Sequence, residues 1–91
     1  MKEAKAIVRN EAGIHCRPSA VIVKAMADYP GAIVVYTDAG KADCRSIMGL
    51  LCLAMEQNAE IVIRVEGPDE ETTCVQLVEL FETQFDFPPK E

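Results

Sequence analysis

The chain predicts an α+β domain in which three amphipathic helices cover one face of a mainly antiparallel, four-stranded sheet. Three observations lead there. Apolar residues recur with helical spacing in three separate segments. Four short segments between and before them read as strands, and one of these alternates apolar and polar residues. Turn residues punctuate the boundaries, giving the order βαββαβα, which suits helices layered on a sheet.

The first strand is predicted over residues 5–9 and is followed by a turn-rich loop over 10–13. A helix follows over 16–29, with Ile22, Ala25, Met26 and Tyr29 at i, i+3, i+4 and i+7. The β-branched run Val21-Ile22-Val23 pulls toward strand. Pro18 in the first turn and Pro30-Gly31 beyond the last residue decide for helix. Residues 32–37 form the second strand, Asp38-Ala39-Gly40 turns the chain, and 41–44 return as a short partner.

Ser46 is the expected N-cap of a second helix running from 47 to about 57, with Asn58 as a left-handed stop. Residues 60–66 make the fourth strand, placing Ile61, Ile63 and Val65 on one face. Gly67-Pro68-Asp69 is read as turn and cap. The last helix spans about 70–85, with Cys74, Leu77, Val78, Phe81 and Phe85 as its buried stripe. A single domain over 1–91 is expected, ordered over about 3–85, with a short tail at 86–91.

Composition limits the functional classes. Ninety-one residues with 49% hydrophobic content support one modest core, and 5% aromatics make it aliphatic. A net charge of −6 with no basic stripe argues against nucleic acid. No apolar run is long enough to span a bilayer, and the N-terminus lacks a signal-peptide core, so a cytoplasmic, membrane-free protein is expected. The four cysteines, at 16, 44, 52 and 74, show neither metal-ligand spacing nor a C-x-x-C pair. Cys44, Cys52 and Cys74 are read as small buried apolar residues. No metal and no cofactor are expected.

The middle helix is apolar nearly all round. Between Ile47 and Met55 only Gly49 is not apolar. A short helix on a sheet cannot bury all of that, so part of Ile47, Met48 and Leu51 should be exposed as a partner surface.

His15, the single histidine, stands just before the first predicted helix. A helix N-terminus carries free amides and partial positive charge, which disfavours imidazolium and keeps the ring nucleophilic near pH 7. Once a phosphoryl group is attached, the amides of Cys16 and Arg17 and the Arg17 guanidinium become its donors. Ser46 is the other chemical candidate. A phosphate there would add about −1.5 to −2 charge beside Ile47, Met48 and Leu51.

Gly13-Ile14-His15-Cys16-Arg17-Pro18 resembles the active-site signature of the HPr family, the histidine-containing phosphocarriers of the bacterial sugar phosphotransferase system. Arg45-Ser46-Ile47-Met48-Gly49-Leu50-Leu51 resembles that family's regulatory serine motif. Ala59-Glu60-Ile61 and Glu66-Gly67-Pro68-Asp69-Glu70 are similar to its fourth strand and the turn into its last helix. The resemblance runs without gaps over about 3–85. It implies an open-faced β-sandwich, with His15 taking a phosphoryl group at Nδ1 from phosphorylated enzyme I and passing it to enzyme IIA domains. It further implies Arg17 as stabiliser of that group, Ile47, Met48 and Leu51 as docking patch, and Ser46 as target of HPr kinase/phosphorylase, with transcriptional regulators among the partners. Phosphoserine 46 would slow His15 phosphorylation by repelling enzyme I. The chain is then a monomeric carrier rather than a turnover enzyme.

Three positions depart from the family pattern: Cys16 where a small residue or threonine is usual, and Ala54 and Asn58 where glycine is usual. A thiol at a helix start beside Arg17 has the setting of a reactive one, although a neutral replacement accounts for it as well. Two other functions compete. One is a regulatory HPr-like protein acting through Ser46 with little sugar flux. The other is a Cys16–His15 nucleophilic pair, disfavoured because adjacent side chains at a helix start diverge.

Overall fold

The computed structural model describes residues 1–10, 13–14 and 16–83, apart from the side chains of Cys16 and Arg17. The order is β1 (Lys2–Ile7), α1 (Cys16–Met26), β2 (Ala32–Thr37), β3 (Gly40–Asp43), α2 (Ile47–Cys52), β4 (Glu60–Glu66) and α3 (Glu70–Phe81). The strands form one antiparallel sheet in the order β1-β4-β2-β3. The architecture is therefore the expected open-faced α+β sandwich. No described helix is long and apolar enough to cross a membrane.

Register explains the core. Ala4 pairs with Ile63, Ile63 with Val35, and Val35 with Ala42, so one row of side chains crosses all four strands. Ile33 pairs with Val65 and Ala6 with Ile61 on the same face. Alternation puts every second residue there, and Ile33, Val35, Ile61, Ile63 and Val65 are fully or almost fully buried. The helices close over this face with Ile22 and Met26 from α1, Leu50 from α2, and Cys74, Leu77 and Phe81 from α3. The charged residues Glu3, Lys5 and Arg64 lie on strand positions of the opposite alternation. There Arg64 donates to Glu3 at 2.6 and 2.8 Å and lies 5.2 Å over the Tyr36 ring.

Several expected boundaries move. The first strand is Lys2–Ile7 rather than 5–9, because its ladder follows β4, from Lys2 opposite Val65 to Ile7 opposite Glu60. Val8, beyond the ladder, donates to Ala59 and accepts from Asn58. The first helix stops at Met26 instead of 29. The residue before Pro30 is steered out of the helical region, and the Tyr29 N–H closes a turn on the Met26 carbonyl. The third strand is Gly40–Asp43 rather than 41–44, although the Cys44 N–H still bonds the Ile33 carbonyl.

The largest correction is in α2, which ends at Cys52 rather than near 57. The N–H groups of Leu53 and Ala54 reach the carbonyls of Leu50 and Leu51, tightening the last turn, and Ala54 then leaves it in the left-handed region at φ +50°. Asn58 is also left-handed, at φ +71°, but it ends the following loop, not the helix. Leu53 and Met55 are buried from that loop. The last helix ends at Phe81; residue 85 and the 86–91 tail lie outside the described residues. Asp69 precedes that helix in a left-handed conformation without a side-chain capping bond, and Glu70 Oε1 accepts the Gly67 N–H in the turn before it. Cys44 and Cys74 are buried as expected, but Cys52 is exposed on the outer side of α2.

Candidate functional site

The segment leading to α1 is held from two sides. Asn10 is fully buried, and its Nδ2 donates to the Gly13 carbonyl at 2.7 Å, while the Gly13 N–H returns to the Asn10 carbonyl at 2.9 Å. The Ile14 N–H donates to the Met55 carbonyl at 2.8 Å. Gly13 has φ +77°, and a β-carbon there would overlap the Met55 carbonyl oxygen. Glycine is therefore required twice, for its conformation and for the close approach of the loop that follows α2.

The expected acceptor, His15, lies outside the described residues, as do the side chains of Cys16 and Arg17. The backbone of Cys16 and Arg17 is helical and opens α1, which has eleven residues. Pro18, buried in its first turn, suits this position because it has no N–H to leave unpaired.

Ser46 caps α2. Its backbone is extended, at φ −115° and ψ 111°, and its Oγ accepts the Gly49 N–H at 3.0 Å while its carbonyl accepts from Leu50. The turn before it is built by Asp43, whose carbonyl accepts the Ser46 N–H and whose Oδ1 accepts the Arg45 N–H. The Arg45 guanidinium closes on the Asp43 carboxylate through Nε and Nη2 and donates from Nη1 to the Tyr29 carbonyl at 2.7 Å. Those bonds hold the Asp43 carboxyl below the usual carboxylate range. Burial pushes the Cys44 thiol, between them in sequence, up to about 12.

Beyond Ser46, Ile47 is 40% exposed and Met48 69% exposed, while Leu51 is half-buried and Leu50 is the inward anchor. Helix α2 packs against both α1 and β3. The apolar surface, the Ser46 cap and the loop touching Gly13–Ile14 thus belong to one short helix and its two ends. The bracing roles of Asn10, Asp43 and the Met55 carbonyl are not evident from residue spacing, since each depends on a contact with a turn or another loop.

The model of the PTS HPr component phosphorylation site matches residues 2–83. A phosphocarrier protein HPr of Xylella fastidiosa strain 9a5c is 36% identical over 85 residues, covering 93% of this chain and 96% of the relative. The crystal structure of a phosphocarrier protein HPr from Bacillus anthracis strain Ames superposes with a TM-score of 0.83 at 26% identity, covering 89% and 96%. An HPr dimer from Thermoanaerobacter tengcongensis superposes with a TM-score of 0.62 at 34% identity, covering 87% and 94%. The chain belongs to the HPr family, the phosphocarrier proteins of the phosphotransferase system.

Proposed function

We propose that the protein accepts a phosphoryl group on His15 from phosphorylated enzyme I and passes it to enzyme IIA domains. The observation that carries this reading is the family match over residues 2–83, with His15 immediately before the first residue of α1. In the forward step an imidazole nitrogen of His15 attacks phosphorus as the bond to the donor breaks. The receiving step runs the same displacement with His15 as leaving group. Helix α1 serves both directions in this reading, because the positive end of a helix disfavours imidazolium and its first amides are suited to donate to an attached anion. Arg17 adds a permanent cation for the same oxygens.

Ile47, Met48 and Leu51 form the docking patch in this reading, and Ser46 is a regulatory phosphorylation site for HPr kinase/phosphorylase. A phosphate on Ser46 would put a dianion at the edge of that patch with little demand on the fold, because half-buried Ser46 caps the N-terminal end of α2, where negative charge is favoured. The carrier is read as a cytoplasmic monomer. Sedimentation at working concentration distinguishes that state from a dimer like the one formed by the T. tengcongensis relative.

The decisive experiment is incubation with enzyme I and phosphoenolpyruvate, followed by intact-mass analysis. One acid-labile, base-stable phosphoryl group is expected, and His15→Ala should abolish it. Incorporation that survives in His15→Ala overturns the assignment.

A further inference from the structure

The cation next to Ser46 in the chain is already engaged through three of its five N–H donors. Arg45 gives Nε to Asp43 Oδ1 at 3.1 Å, Nη2 to Asp43 Oδ2 at 3.2 Å, and Nη1 to the Tyr29 carbonyl at 2.7 Å. The last of these is part-buried and joins the turn before Ser46 to the chain just beyond α1. A phosphate near an available arginine normally recruits it through short, charge-assisted bonds. Here Arg45 is turned toward a bidentate carboxylate and a backbone carbonyl, and pairing with the phosphate competes with both.

We propose that Asp43 and the Tyr29 carbonyl hold Arg45 in reserve, so that Arg45 does not neutralise a phosphate on Ser46 and its charge faces whatever docks on Ile47 and Met48. This rests on the reading of Ser46 as the regulatory site and deepens it, making Asp43 the residue that sets the strength of the switch. Free of Asp43, the guanidinium would turn to the phosphate and neutralise part of the repelling charge.

The test installs phosphoserine at position 46 during synthesis, so no kinase is needed. Asp43→Asn is the useful variant, because an amide oxygen can still accept the Arg45 N–H and keep the turn. Circular dichroism verifies that each variant is folded. The phosphoserine pKa is then read by ³¹P NMR in the parent, Asp43→Asn, Arg45→Gln and the double variant. Simple loss of the Asp43 charge shifts the pKa equally whether or not arginine is present. Release of Arg45 onto the phosphate does not. Arg45→Gln should therefore raise the phosphoserine pKa more in the Asp43→Asn background than in the parent, by roughly 0.2–0.7 unit. Equal rises in the two backgrounds overturn the proposal.

The same phosphorylated proteins then enter transfer from enzyme I. Asp43→Asn should recover about two- to fivefold of the rate lost to phosphoserine 46, the range an exposed ion pair commands. A transfer rate indifferent to phosphoserine in every variant overturns the reading of Ser46 as a switch, while the NMR cycle independently decides the position of Arg45.

Discussion

The Ile14 N–H donates to the Met55 carbonyl at 2.8 Å, and this bond ties the residue before His15 to the loop that follows α2. Met55 stands directly after Ala54, which sits at φ +50°. The left-handed region costs an L-residue with a β-carbon roughly 1–2 kcal/mol, and alanine has no polar side chain to offset it.

Relief of that conformation should show in stability. Ala54→Gly is expected to stabilise the fold by about 0.5 kcal/mol, the strain removed less the added freedom of the unfolded chain. Ala54→Val should destabilise by about 1–2 kcal/mol, because a β-branched residue fits the left-handed region still less well. Urea unfolding reads both. Hydrogen exchange at the Ile14 amide locates the effect: it should accelerate in the valine variant while amides of β4 stay protected. An Ile14 amide unchanged in a folded, destabilised valine variant would detach the Met55 bond from the conformation of Ala54.

This region also shows why the sequence was legible in some places and not in others. The strand at Glu60–Glu66 was readable to the residue because alternation is a local signal with one solution. The Ser46 cap was readable for the same reason, a polar residue immediately before an apolar run. The run from Ile47 to Met55 was misleading, since apolarity continues past the helix end. Leu53 and Met55 are buried in a loop, and apolar content alone does not separate that from helix. The end of α2 depends on the backbone of Ala54, a residue whose intrinsic preference is for helix. Among candidate site residues, exposure of Ile47 and Met48 followed from counting apolar faces. The braces at Asn10, Asp43 and Met55 arise from tertiary contacts that no local pattern announces.

Acid should reveal the Asp43 fork. Hydrogen bonding from Arg45 lowers the Asp43 pKa below its ordinary value of 3.8. A carboxylate depressed on folding contributes stability that is fully present above the unfolded pKa and is lost as pH falls through the folded one. Asp43→Asn should therefore be less stable than the parent at pH 7, with the difference closing below about pH 4. Urea midpoints from pH 7 down to about pH 2.5 measure it. A gap constant across that range would mean that the carboxylate charge contributes nothing.

The thiols should separate by burial. In a Cys16→Ala background, Cys52 is exposed while Cys44 and Cys74 are buried. Thiolate is the reactive form, and burial raises both inner thiols, Cys44 to about 12. One group should alkylate quickly at pH 8, and the other two only at the rate of opening. Raised thiols also predict a direction with pH. Their contribution is intact below the unfolded value near 9 and is lost as pH rises toward the folded value. Alkylation followed by mass spectrometry counts the groups; three equal rates would contradict the burial of Cys44 and Cys74.

Met48 offers the cleanest separation of folding from docking. Its side chain stands 69% exposed, one residue beyond Ile47 and two beyond the Ser46 cap, with Leu50 carrying the inward packing of α2. Replacing it with alanine removes little buried surface, so stability should change by no more than about 0.5 kcal/mol. An apolar side chain at the centre of a contact patch is worth far more to a partner, commonly about 1–2 kcal/mol on truncation. Under the proposed docking role, Met48→Ala should accordingly raise the KM for phosphorylation by enzyme I by roughly five- to thirtyfold, since RT is about 0.59 kcal/mol, while leaving kcat near its parent value. Met48→Asp should raise it further, because the carboxylate adds a desolvation cost at the same contact. Leu50→Ala serves as the contrasting variant: buried in the core, it should lower the urea midpoint strongly. Steady-state phosphorylation of each folded variant across substrate concentrations gives both constants, and an unchanged KM in Met48→Ala would move the docking surface away from α2.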